Sequence, residues 1–87
     1  MVITTLFNHN ARERRTVEKL MFAKLARNGY PQTALLMEDG LQKADDGYRL
    51  FFDTWESEEH YIAAATRTGK TWQITLQIGD QAPQPLN

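Results

Sequence analysis

The clearest hydrophobic pattern in the chain is a strict alternation close to its C-terminal end. Between Thr71 and Ile78 every second residue is apolar, and the intervening residues are threonine or glutamine. A period of two places the apolar side chains on one face of an extended backbone and the polar side chains on the other. The pattern predicts a half-buried strand in an antiparallel sheet that has one face on the core.

Other segments are predicted to be strands from β-branched and aromatic residues or from flanking turns. They are residues 2–7, residues 33–38 between Pro31 and the Asp39-Gly40 turn, and residues 48–53, in which Tyr48, Leu50 and Phe52 alternate with other residues. Residues 41–44 lie between two turn signals and are compatible with either a short extra strand or part of a loop.

Two segments have the pattern of helices. Residues 11–28 carry apolar residues at helical spacing, with Asn10 as N-cap, Glu13 as its capping-box partner and Gly29 at the C-terminal end. In residues 54–69, Ser57 is the predicted N-cap and two glutamates follow it in the first turn. The apolar face of this segment is modest.

This order of elements predicts an α+β fold. Strand, helix, strand, strand, helix, strand is the ferredoxin-like βαββαβ order, a two-layer sandwich with two helices on one face of an antiparallel sheet. We expect residues 1–79 to form a single domain, because a chain of 87 residues cannot divide its core. Residues 80–87, with two prolines, are predicted to be a flexible tail.

Composition narrows the classes of function. The chain has no cysteine, no segment of membrane-spanning length and no signal-peptide pattern, so a cytoplasmic location without membrane contact is predicted. We find no glycine-rich phosphate loop. Glu56 and His60 are spaced to share a helix face, but two ligands without a cysteine or a third nearby histidine make a weak metal site. The prediction is therefore a protein without enzymatic activity, cofactor or metal.

Charge is distributed unevenly along the chain. Residues 12–27 contain six cations and two acids, whereas residues 38–59 contain eight acids and two cations, although the formal net charge is only -1. On the first helix, Arg12, Arg15 and Lys19 together with Phe22 would form a cationic surface with an apolar centre. Arginine and aromatic side chains are common anchors of protein interfaces.

We therefore predict a small protein-binding module, a regulator or inhibitor of the kind that phages and plasmids encode, whose partner is a protein with an acidic surface. One alternative is a nucleic-acid-binding protein that uses the basic segment from Arg12 to Arg15 or the open sheet face, where Arg49 and Phe51 lie. A small enzyme is the second alternative. We also expect a homodimer formed through a sheet edge or the open face.

Overall fold

Residues 2–87 form one α-helix followed by an antiparallel sheet of six strands. The structure is a computed structural model that describes the backbone of these residues and the side chains of residues 11–87. Helix α1 (Val2–Arg27) is followed by a short 3₁₀ turn (Gln32–Ala34). The strands are β1 (Leu35–Leu36), β2 (Leu41–Ala44), β3 (Gly47–Thr54), β4 (Ser57–Thr68), β5 (Thr71–Ile78) and β6 (Gln84–Pro85).

From β2 to β6 the sheet is a meander in which neighbouring strands follow one another in sequence. The order is β1-β3-β4-β5-β6, and β2 also pairs with β3, further along the same edge. Turns of two residues join β2 to β3, β3 to β4 and β4 to β5. In the last turn Gly69 has a φ of 63°, which suits the first position of a type II′ hairpin. The β4–β5 hairpin is therefore closed by local sequence.

The ferredoxin-like prediction is wrong because residues 54–69 do not form a second helix. They form the β3–β4 turn and β4, the longest strand, which pairs with β3 on one side and β5 on the other. Alanines and glutamates favour helix, but Tyr61, Ala63 and Ala65 also alternate with half-buried residues along the strand. Pairing on both sides outweighs local helix propensity, which amounts to only a few tenths of a kcal/mol per residue.

The prediction of a strand at residues 2–7 is also wrong. The backbone is helical from Val2 onward, so Asn10 lies inside α1 and neither it nor Glu13 forms a capping box. Extending an existing helix costs much less than nucleating one, because each added residue gains a backbone hydrogen bond. The β-branched residues of this segment therefore follow the helix that continues to Arg27.

The core lies between α1 and the inner face of the sheet. Val17, Met21 and Leu25 are spaced by four residues and are at most 1% exposed, so one stripe of the helix is buried. The sheet contributes apolar residues from β1 to β5, and the small Ala63 and Ala65 leave room for the helix. The buried sheet residues are Leu35, Leu41, Tyr48, Leu50, Phe52, Tyr61, Ala63, Ala65, Ile74 and Leu76.

Helix α1 ends as its sequence predicts. Gly29 has a φ of 95°, and the N–H groups of Gly29 and Tyr30 donate to the carbonyl oxygens of Ala26 and Leu25 at 3.1 and 2.8 Å. These two bonds form a Schellman motif, which satisfies carbonyl groups that the helix end would otherwise leave unpaired. The ring of Tyr30 then packs near Phe52, at 6.3 Å between ring centroids.

Several strand predictions are confirmed. β3 and β5 occupy the predicted segments with the predicted faces toward the core. Residues 41–44, where the sequence is compatible with a strand or a loop, form a strand. Within residues 33–38, however, only Leu35–Leu36 is extended and paired. Trp72 lies on the inner face of β5 but is only partly buried. The centroid of its ring lies 5.8 Å from that of the Tyr48 ring.

The C-terminal residues lie along β5. β6 pairs with β5, the N–H of Leu86 donates to the carbonyl of Ile74 at 2.8 Å, and the Leu86 side chain packs against the core. Because proline has no N–H to offer, Pro83 and Pro85 give this edge few groups for pairing with another strand. The flexibility of residues 80–87 stays a prediction.

Candidate functional site

Three of the four predicted interface residues lie together on the outward side of α1. Arg12, Arg15 and Lys19, which we call the cationic stripe, are exposed and line a shallow depression with Thr16. At about 100° per residue they lie roughly 140 to 160° around the helix from buried Val17. The same packing that buries Val17 therefore turns these cations toward solvent.

The cations of the stripe make no ion pair with any side chain in residues 11–87. Glu13, the nearest acid in sequence to Arg12, points to the sheet instead. Its carboxylate accepts a hydrogen bond from the Tyr48 hydroxyl at 2.9 Å and a charged one from the Arg67 guanidinium at 3.3 Å. This leaves the positive charge of the stripe available to a partner.

Phe22 does not line the depression that the stripe forms. The structure places it at the edge of the core, partly buried and packed against the buried residues. Helical spacing put it near Arg15 and Lys19, but an aromatic ring at the border of a buried stripe gains free energy by covering the core. The stripe is therefore mainly charged.

Glu13 links α1 to two strands. Burial, and after it the hydrogen bond to Glu13, raises the pKa of Tyr48 above the usual value near 10. Trp72 stands beside this group, with the Arg67 guanidinium carbon 5.4 Å from its ring centroid. The arrangement joins the helix to the sheet and needs no ligand to explain it.

A second surface lies on the outer face of the sheet, away from α1. Its centre is apolar: Leu36 and Phe51 are 37% and 48% exposed, and Ile62 lies half-buried on the neighbouring strand. Three exposed acids surround this centre in one shallow cavity. We call these residues, Leu36, Phe51, Ile62, Glu38, Asp39 and Asp53, the acidic patch.

His60 stands at the margin of the acidic patch. Its Nδ1 atom lies 2.8 Å from a carboxylate oxygen of Asp53, and this contact raises the pKa of His60 above its ordinary value of 6.5. The histidine side chain is 87% exposed, so the pair is a surface contact and not a buried catalytic dyad.

Trp55 is a feature that the sequence prediction missed. It occupies the β3–β4 turn with Glu56 and is 80% exposed, the largest exposed fraction among the bulky apolar residues of the described side chains. Together with Tyr30 and Pro31 it lines an open groove beside the C-terminal end of α1. The sequence does contain a signal for a hairpin turn here, because Trp55 and Glu56 separate two segments in which buried residues alternate. Helix propensity nevertheless led to the prediction of a helix that included Trp55.

The described residues include no group of three or more histidine, cysteine, aspartate or glutamate side chains that could hold a metal ion. Arg49, the cation on the open sheet face, is paired with Asp46 at 2.8 Å. The chemistry that these surfaces offer is therefore recognition by charge and by exposed apolar side chains.

No family model, curated protein or solved structure matches this chain. In the described part of the chain, α1 is too polar and no other helix is long enough to cross a membrane.

Proposed function

We propose that this chain is a non-enzymatic protein-binding module, a regulator or inhibitor, that docks a protein with an acidic surface through the cationic stripe of α1. One observation carries the proposal: Arg12, Arg15 and Lys19 are exposed on one side of a helix without an ion-pair partner in residues 11–87. Arginine is favoured in interfaces because its planar guanidinium can bind a carboxylate through two hydrogen bonds.

The rigidity of the site supports this proposal. Val17, Met21 and Leu25 fix α1 on the sheet, so the backbone beneath the stripe is already ordered before a partner arrives. Binding to a helix that is already ordered costs less conformational entropy than binding to a loop that must become ordered in the complex. The lack of cysteine also favours a reducing compartment, which for this proposal is the cytoplasm.

An acidic protein suits the stripe better than a nucleic acid does. Nucleic-acid binding draws its affinity from many cations that neutralise phosphates, whereas the stripe has three cations on a chain of net charge -1. Arg49, which could have extended a basic surface on the other face, already has Asp46 as its partner. The exposed acids of residues 38–59 would repel a long phosphate backbone.

Affinity capture from a lysate of the source organism, followed by mass spectrometry, tests the proposal. The variant Arg12→Glu/Arg15→Glu should lose the captured acidic protein, because it replaces attraction by repulsion. Arg27→Glu/Lys70→Glu is the matched control, since it makes the same change in net charge at two other exposed cations. Both variants should melt within about 4 °C of the wild type, because exposed charges contribute little to folding.

Two results would count against the proposal. Capture that survives the stripe reversal as well as it survives the control reversal would place the binding site elsewhere. Capture that disappears when the lysate is treated with nuclease would replace this function with the nucleic-acid-binding alternative.

A further inference from the structure

The acidic patch and the cationic stripe lie on opposite sides of the molecule. Helix α1 packs on the inner face of the sheet through Val17, Met21 and Leu25, and the stripe faces away from that contact. Phe51 and Ile62 belong to the outer face, since the inner positions beside them in the strands are Leu50, Phe52, Tyr61 and Ala63. The two surfaces therefore cannot meet within one chain.

The two surfaces are complementary in charge. The stripe presents three cations, and the acidic patch presents three exposed carboxylates around an apolar centre. Glu38 and Asp39 have no ion-pair partner in residues 11–87, while Asp53 contacts His60. Each surface thus carries charge that the side chains of residues 11–87 do not neutralise.

The apolar centre of the patch fits the chemistry of arginine. A guanidinium group can stack on an aromatic face and bind a carboxylate at its edge at the same time. Phe51, with nearly half of its surface exposed, provides the aromatic face, and the aliphatic stems of Arg12 and Arg15 can cover Leu36. A cationic helix face therefore suits this patch better than a purely apolar surface does.

We propose that the acidic patch binds the cationic stripe of a second copy of this chain, so that copies associate head to tail. The inference rests on the proposed function in that it uses the same stripe, and it names one acidic surface that the stripe can dock. The stripe and the acidic patch are different surfaces on opposite sides of the molecule. A pair of copies joined by one contact therefore still has a free stripe at one end and a free acidic patch at the other. Such heterologous contacts build rings or open filaments and not closed twofold dimers.

Sedimentation velocity across a concentration series tests this inference on the full chain. At low salt the mass of the wild type should rise continuously with concentration. At roughly 1 M salt, where the screening length falls to about 3 Å, association should weaken strongly. The variants Arg12→Glu/Arg15→Glu and Glu38→Lys/Asp39→Lys should each raise the dissociation constant by about tenfold or more.

The decisive measurement mixes the two variants. The first has two acidic surfaces and the second has two basic ones, so neither associates with itself, but both contacts between the two variants are complementary. An equimolar mixture should recover the assembly. The control Arg27→Glu/Lys70→Glu should associate as the wild type does, since neither residue belongs to the stripe or the patch.

Each other outcome overturns the inference. A wild type that remains monomeric at all concentrations has no such contact. Assembly that only the stripe reversal disrupts places the docking surface outside the acidic patch, and a mixture that fails to assemble excludes pairing of the two surfaces. None of these results affects capture of another acidic protein by the monomer, so the inference can fail while the proposed function stands.

Discussion

The replacement of Gly47 by alanine is the sharpest test of how this sheet is built. Gly47 begins β3 and pairs with Ala44 on one side and Thr66 on the other, with a φ of 154°. A Cβ atom added there would overlap the carbonyl oxygen of Ala65 and come within 3.2 Å of the Trp72 ring. The obstacle is a backbone atom, so a side-chain rotation cannot remove it.

The expected magnitude follows from two contributions. An alanine held at a φ that is normal only for glycine costs roughly 1 to 3 kcal/mol. The overlap adds the cost of moving β4, whose Ala65 is fully buried, and we expect a total of about 3 to 5 kcal/mol. A domain of this length has a free energy of unfolding of roughly 4 to 13 kcal/mol, so Gly47→Ala should remove a large part of it.

Gly69→Ala provides the matched control for this substitution. Gly69 also has a positive φ, 63°, but an added Cβ would meet nothing within 4 Å, so only the backbone cost of about 1 to 2 kcal/mol remains. Urea unfolding followed by tryptophan fluorescence should give a free energy of unfolding at least about 1 kcal/mol lower for Gly47→Ala than for Gly69→Ala. Equal values for the two variants would refute the close approach of β3 to Ala65.

Two further predictions concern the core and the acidic patch. Leu25→Ala should lower the free energy of unfolding by about 2 to 5 kcal/mol, because Leu25 is fully buried. Leu20→Ala should lower it by less, because Leu20 is only partly buried. Chemical denaturation measures both changes. His60 should titrate in NMR spectra with a pKa above 6.5, and Asp53→Asn should lower that pKa. Because the pKa is raised in the folded state, any stability from this pair is present below about pH 6.5 and is lost as the pH rises through the folded pKa. A His60 pKa that is the same in Asp53→Asn as in the wild type would contradict the contact.

The parts of the fold that sequence predicts well are those where one periodicity has no competitor. β5 alternates over its whole length, and its turn signals agree with that pattern, so strand and face are both predicted correctly. The C-terminal half of α1 is equally clear, because Gly29 and Pro31 mark an end that the buried stripe already requires. Local pattern and tertiary structure coincide there.

β4 shows where sequence reasoning fails. Ser57, two glutamates and three alanines favour a helix locally, and nothing in the segment itself states that strands will lie on both sides. The hydrogen bonds that decide the outcome come from β3 and β5, so they are not visible in the segment. The error also hid Trp55, whose exposure follows only from the hairpin turn.

The candidate site was predicted in part for the same reason. Arg12, Arg15 and Lys19 share a helix side by spacing alone, so their grouping follows from any helix there. Phe22 required knowledge of how much of the helix surface the sheet covers. The acidic patch required the pairing of β1 with β3, which brings Leu36 beside the outer face of that strand.

The two-residue turns of the meander have a consequence for the speed of folding. The hairpins joining β2, β3, β4 and β5 close locally, and hairpins form in microseconds. Helix α1 can also form rapidly without the sheet. Its docking on β4, however, must close about 30 residues of chain, because α1 ends at Arg27 and β4 begins at Ser57. Until it docks, the apolar inner face of the sheet has no cover. We therefore expect helix docking to limit the folding rate, and the species that precedes it to be the one most prone to aggregate.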